Sequence, residues 1–174
     1  GGADYDWAYS MIQTADRGYA LAGYTYSFAS SEYTYDQWLV KTDEAGNMQW
    51  NKTYESGAMV RCVIETNDGG YALAGNAVGK ADLLVKTDSH GNMLWKKDYN
   101  GSIYSVVQTF DGGYALAGSR LIKTDLSGNV EWNKTYGEIQ ALAFSLIQTS
   151  DGGYALAGRT LLGMGGSMDS WLMK

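Results

Sequence analysis

The stretch DGGYALAG at residues 151–158 recurs at 111–118 and 68–75, and returns in altered form as DRGYALAG at 16–23. The tyrosines that mark the copies, Tyr19, Tyr71, Tyr114 and Tyr154, lie 52, 43 and 40 residues apart. Such a period indicates repeated supersecondary units. A short β-rich run precedes each copy: SMIQT from Ser10, CVIET from Cys62, SVVQT from Ser105 and SLIQT from Ser145. YALAG itself is nearly unbroken apolar sequence, as in a strand buried on both faces. Its small alanines, such as Ala72 and Ala74, leave room for a neighbouring sheet. The turn between the two runs makes a hairpin. Arg17 replaces the first glycine in one copy, whereas Gly18, Gly70, Gly113 and Gly153 all keep the second. The second glycine is therefore expected to be the one that needs a positive φ.

A third strand follows as QWLVKTD from Gln37, DLLVKTD from Asp82, RLIKTD from Arg120 and SWLMK from Ser170. Three of these run into DEAGN, DSHGN or DLSGN, with Asp first and Gly fourth, as a type I turn prefers. The repeated Asp43, Asp88 and Asp125 are read as turn formers, since the successive oxygen ligands of a calcium loop are missing. The fourth strand is NMQWNKTY from Asn47, NMLWKKDY from Asn92 and NVEWNKTY from Asn129. Its alternation, with Met48, Trp50 and Tyr54 on one face and Gln49, Asn51 and Thr53 on the other, places it at a sheet's outer edge. Four antiparallel strands per repeat of this length make a β-propeller blade. The fold class predicted is all-β, with blades at about 1–55, 56–100, 101–137 and 138–174, the last without its outer strand.

The segments KTDEAGNMQW, KTDSHGNMLW and KTDLSGNVEW resemble the tryptophan-docking motif of quinoprotein-type propellers, in which an Asp, a turn Gly and a Trp close the third and fourth strands of each blade. Here one residue fewer separates the Asp from the Gly. The whole repeat more closely resembles blades that recur in large uncharacterised extracellular proteins of archaea and bacteria, where runs like SDGGYALAG, WLVKTD and GNMQWNKTY follow one another. That resemblance implies a propeller fold and an extracellular or cell-surface location, and it brings no known activity. Against this repeat, the chain starts just after a fourth strand would end and stops just before another would begin. The expectation is a piece of a longer ring, or self-association through the uncovered edge of the last blade.

The 174 residues are 45% hydrophobic, enough for a substantial core, and carry a net charge of −6. Basic residues are scattered through the repeats, which argues against nucleic acid as a partner. No apolar run approaches the roughly 18 residues of a membrane-spanning helix. Cys62 is the lone cysteine and His90 the lone histidine. A cysteine-built metal site, an intramolecular disulfide and a serine triad are thus all disfavoured, and no cofactor or metal is expected.

With strand direction alternating, the DGG and TDxxGN turns share one end of every blade. The variable connections share the other. Because recognition residues concentrate on loops carried by a rigid scaffold, the variable end is the candidate binding face. There Tyr24, Tyr26, Phe28, Tyr33 and Tyr35 accompany several serines, a composition suited to a glycan or protein ligand. Packing of the long loop is the plainer alternative for these rings. Asn51, Asn100 and Asn133 head N-glycosylation sequons. Three functions follow: a non-catalytic binding or adhesion module, a structural subunit whose copies complete one another's blades, and a glycan hydrolase drawing on Asp4, Asp6, Glu32, Asp36 or Asp169.

Overall fold

The computed structural model describes residues 2–31, 34–77, 79, 81–136, 141–162 and 167–174. Four consecutive antiparallel sheets are built from β1 (Asp6–Gln13), β2 (Tyr19–Thr25), β3 (Asp36–Thr42), β4 (Met48–Ser56); β5 (Ala58–Glu65), β6 (Tyr71–Ala77), β7 (Asp82–Thr87), β8 (Met93–Tyr99); β9 (Ile103–Gln108), β10 (Tyr114–Gly118), β11 (Leu121–Thr124), β12 (Val130–Lys134); and β13 (Ala141–Gln148), β14 (Tyr154–Leu162), β15 (Ser167–Met173). Each sheet keeps sequence order, so the first three have four strands and the last has three. The first strands pack in succession, β5 against β1 and β9, and β9 against β13. They lie innermost, and β4, β8 and β12 form the rim.

Alternation along YALAG joins the sheets. Tyr71 and Leu73 face backward into a core with Ala20, Ala22 and Leu39, while Ala72 and Ala74 face forward against Tyr114 and Leu116. Ala115 and Ala117 repeat the arrangement against Leu146 and Leu156. Large side chains of one sheet thereby fill the space left by alanines of the one before it. Rim tryptophans extend each seam: Trp50 meets Tyr71, Trp95 meets Tyr114 and Trp132 meets Tyr154, edge to face, with ring centroids 5.9, 5.8 and 5.8 Å apart.

Both hairpin types use a type I turn closed by a residue in the left-handed region. In the first, the Arg17 N–H donates to the Thr14 carbonyl (2.8 Å) and the Thr14 N–H to the Gly18 carbonyl (2.9 Å). This corrects the expectation for the glycine pair. Positive φ belongs to the first position, where Arg17 (69°), Gly69 (77°), Gly112 (88°) and Gly152 (84°) stand. The second glycine is needed for close approach instead: a Cβ on Gly18, Gly70 or Gly113 would lie 2.1 Å from the carbonyl oxygen of Thr42, Thr87 or Thr124.

Candidate functional site

The two ends of the blades are built differently. At the hairpin end, Asp16 Oδ1 accepts hydrogen bonds from Thr14 Oγ1 (2.5 Å) and the Gly18 N–H (3.1 Å). Lys41 Nζ, from the third strand, reaches Asp16 Oδ2 at 2.8 Å and the Thr42 carbonyl at 2.7 Å. Lys86 and Lys123 repeat the bridge to Asp68 (2.9 Å) and Asp111 (2.8 Å). Lys174 does so with Asp151 at 2.8 Å. Lys41, Lys86 and Lys123 are buried, so each ammonium depends on these partners. Hydrogen bonds from the lysine, then from the neighbouring threonine, hold Asp16, Asp111 and Asp151 down at about 2. At Asp68, burial pushes upward but bonds from Thr66 and Lys86 outweigh it, again giving about 2.

Asp43 Oδ1 accepts from the Ala45 and Asn47 N–H groups, and Asn47 Nδ2 donates to Oδ2. Asp88 and Asp125 are engaged in the same way. His90 sits exposed at one of these tips, beside Ser89. The hairpin-end carboxylates are thus taken up in turn construction.

At the loop end, β2 and β3 carry Tyr24 and Tyr35 to a centroid separation of 5.1 Å, and Tyr26 lies 5.9 Å from Tyr24 and 5.5 Å from Tyr35. Two rings not anticipated from the loop sequence complete the group: Trp7 stacks on Tyr24 at 6.2 Å and Tyr9 approaches it at 5.9 Å. Tyr24 and Tyr35 are half-buried supports, with hydroxyls pushed upward by burial and then by neighbouring tyrosines. Trp7 (51% exposed), Tyr9 (43%) and Tyr26 (38%) reach solvent. Phe28 separates from this group and stacks on Trp38 at 5.9 Å. Since Leu39 faces the second sheet, its neighbour Trp38 faces the opposite way, and Phe28 covers core on that side. Tyr33 and Glu32 lie outside the described residues.

Of the carboxylates proposed for hydrolysis, Asp4, Asp6 and Asp36 are occupied locally. Asp6 accepts from Thr25 Oγ1, the Gly2 N–H and Ser27 Oγ. Burial raises its pKa, yet these bonds bring it below the usual carboxylate value. Asp4 accepts from the Tyr5 N–H, and the buried Asp36 accepts from the Ser30 N–H at 2.7 Å. Asp169 is in β15, opposite Thr160. Of the sequon residues, Asn51 is half-buried on β4, where it accepts from Trp38 Nε1 at 3.4 Å. Asn100 and Asn133 are exposed.

The sheet seam also gathers polar residues that the motif reading passed over. Arg61, on β5, lies 4.5 Å over the Tyr9 ring and donates through Nε to Asn76 Oδ1 at 2.9 Å. Asn76, Asp82, Asn100 and Ser102 then line an open groove of about 600 Å³ between the second and third sheets. Asp82 is buried at its wall, which pushes its carboxyl up to about 6 although the Ile103 N–H donates to it. Counted back from the bridging lysines, Gln37, Asp82 and Ser119 share one position. A polar residue two places before a core leucine such as Leu39 was the available signal. Gln37 is fully buried, and neither polar atom of its amide has a hydrogen-bond partner among the described residues.

No family model matches the chain, and no curated protein matches it in sequence. Solved structures do resemble it. A protein of unknown function from Bacteroides caccae superposes with a TM-score of 0.62 at 13% identity, over 94% of this chain and 60% of its own. Streptogramin B lyase superposes with a TM-score of 0.64 at 13% identity, over 94% of this chain and 54% of its own. The fold is a β-propeller. This chain spans little more than half the length of either neighbour, and at such identity the likeness concerns architecture alone.

Proposed function

We propose that this propeller is a non-catalytic extracellular binding module that holds a glycan or protein ligand on its loop-end face. The observation that carries the reading is the group of solvent-reaching rings, Trp7, Tyr9 and Tyr26, seated on half-buried Tyr24 and Tyr35. Packed aromatics lose little conformational freedom when a ligand arrives, so the platform is pre-organised. At the hairpin end the exposed Phe110 has no ring partner among the described residues, and the aspartates are spent on turns. The test is a printed array of glycans and extracellular proteins. Binding should vanish in the Tyr26→Ala/Tyr35→Ala double variant and survive in His90→Ala, which alters the opposite end. Binding that persists in the double variant would sink the reading.

A second reading, self-assembly, rests on the outward sides of the first and last sheets. Met11 (63% exposed) stands on one, and Ile147 (58%) and Leu172 (80%) on the other. They repeat the two halves of an internal seam, Tyr19 and Leu21 on the backward side and Ala155 and Ala157 on the forward side, so copies could stack head to tail. Sedimentation would show a concentration-dependent series abolished by Leu172→Asp. A single monomeric species at high concentration would exclude it.

A further inference from the structure

The aromatic platform and the Asp82 groove are not separate features. A continuous chain of contacts runs from Tyr26 through Tyr24 and Tyr9 to Arg61, and from Arg61 Nε to Asn76 at the groove's edge. One end of this path presents ring faces. The other presents amides, a hydroxyl and a carboxylate in a recess.

A pyranose chain has the matching duality, with C–H faces that stack on aromatic rings and hydroxyl edges that pair with amides and carboxylates. A peptide strand would call for an exposed row of backbone donors and acceptors, and this path supplies side chains instead. Charge narrows the class further. Arg61 is engaged by Tyr9 and Asn76, and the described groove lining holds Asp82 and no cation. A sulfated or carboxylated sugar would meet like charge there. We propose that platform and groove form one extended site for an uncharged oligosaccharide, its rings stacked over Tyr9 and Tyr26 and its hydroxyls bonded by Asp82, Asn76 and Asn100.

This rests on the loop-end reading above and adds a ligand class and a direction along the surface. Calorimetric titration would use uncharged hexasaccharides of glucose, xylose, mannose and galactose, the matching disaccharides, and a heparin hexasaccharide. At least one uncharged hexasaccharide should bind about tenfold more tightly than its disaccharide, the gain of one or two well-placed hydrogen bonds in a recess. Asp82→Ala and Asn100→Ala should each remove most of that gain and leave disaccharide binding unchanged, whereas Tyr26→Ala should weaken both. Near-ultraviolet circular dichroism checks folding of Asp82→Ala, and Asn100→Ala, at an exposed position, carries the test if that variant is unstable. Equal affinity for hexa- and disaccharide, or indifference to both groove variants, overturns the extended site while the platform stands. Preference for heparin, or no uncharged sugar bound, overturns the ligand class, and the protein half of the array then decides the broader reading separately.

Discussion

A Cβ built on Gly70 would lie 2.1 Å from the Thr87 carbonyl oxygen and 2.7 Å from Lys86 Nζ, whereas one built on Gly69 meets nothing within 4 Å. Gly69→Ala incurs only left-handed strain of about 1–2 kcal/mol. Gly70→Ala must displace backbone and is expected to cost about 3 kcal/mol or more. Urea unfolding of the pair reads the difference, and equal midpoints would contradict the close-approach account. Arg17, at the position of Gly69 with φ of 69°, should tolerate Arg17→Gly with no loss and up to ~1 kcal/mol of gain. Its exposed pair with Glu44 offsets little of this. Gln37 makes the opposite case, a fully buried amide with no hydrogen-bond partner among the described residues. Gln37→Met, similar in volume, should raise the thermal midpoint by an amount equivalent to about 1 kcal/mol. The repeat made a glycine requirement visible in sequence but not its cause, since tight approach by a strand some seventeen residues later leaves no local mark.

Within a blade, the lysine bridges tie the first hairpin to the third strand. The carboxylates titrate at about 2 in the folded chain against an ordinary value of 3.8. A depressed carboxylate contributes stability that is complete above its unfolded pKa and lost as pH falls through its folded one. The urea midpoint should therefore rise slightly from neutral pH toward about 4, as the raised Asp82 carboxyl takes up its proton, and then drop between about 4 and 2, with the drop shallower in an Asp16→Asn/Asp111→Asn variant. The bridges are also unequal. Lys123 has Glu131 at 2.9 Å in addition to Asp111, while Lys86 relies on Asp68 and the Thr87 carbonyl. Asp68→Asn should accordingly destabilise more than Asp111→Asn, on the order of 2 kcal/mol for the former. Each partner was visible in the repeated DGG and KTD motifs. Their pairing was not, because a lysine inside an apolar strand gives no sign of which carboxylate answers it until the register is known.

At the scale of the whole molecule, seams between sheets decide integrity. The Trp95 ring lies against Gly128 of the next sheet, where a Cβ would come within 2.9 Å of it, and Tyr99 Oη donates to the Gly128 carbonyl at 2.8 Å. Trp50, Tyr54 and Gly91 repeat this one sheet earlier. Trp95→Ala should cost about 3 kcal/mol and loosen the second and third sheets from each other. Hydrogen exchange would show this as lost protection in β7 to β10 with β1 to β3 little changed, and uniform loss would argue against seam-by-seam coupling. The blades, their strand order and the division into a uniform and a variable end followed from repeat spacing and side-chain alternation. The composition of the variable face followed in part, through Tyr24, Tyr26 and Tyr35. Trp7 and Tyr9 sit before the repeat signature, and Arg61 joins them only through a contact between sheets.

The lysine bridges, the tyrosine–glycine bonds and the docked tryptophans all gather toward the hairpin rim, so the molecule is clasped like a hand of cards held along one margin. What is displayed at the free margin can be exchanged without loosening the grip. A new connection spliced between β6 and β7, where only the segment around Gly79 intervenes, would leave every clasp untouched, and the chain can serve as a scaffold on which recognition surfaces are rewritten one connection at a time.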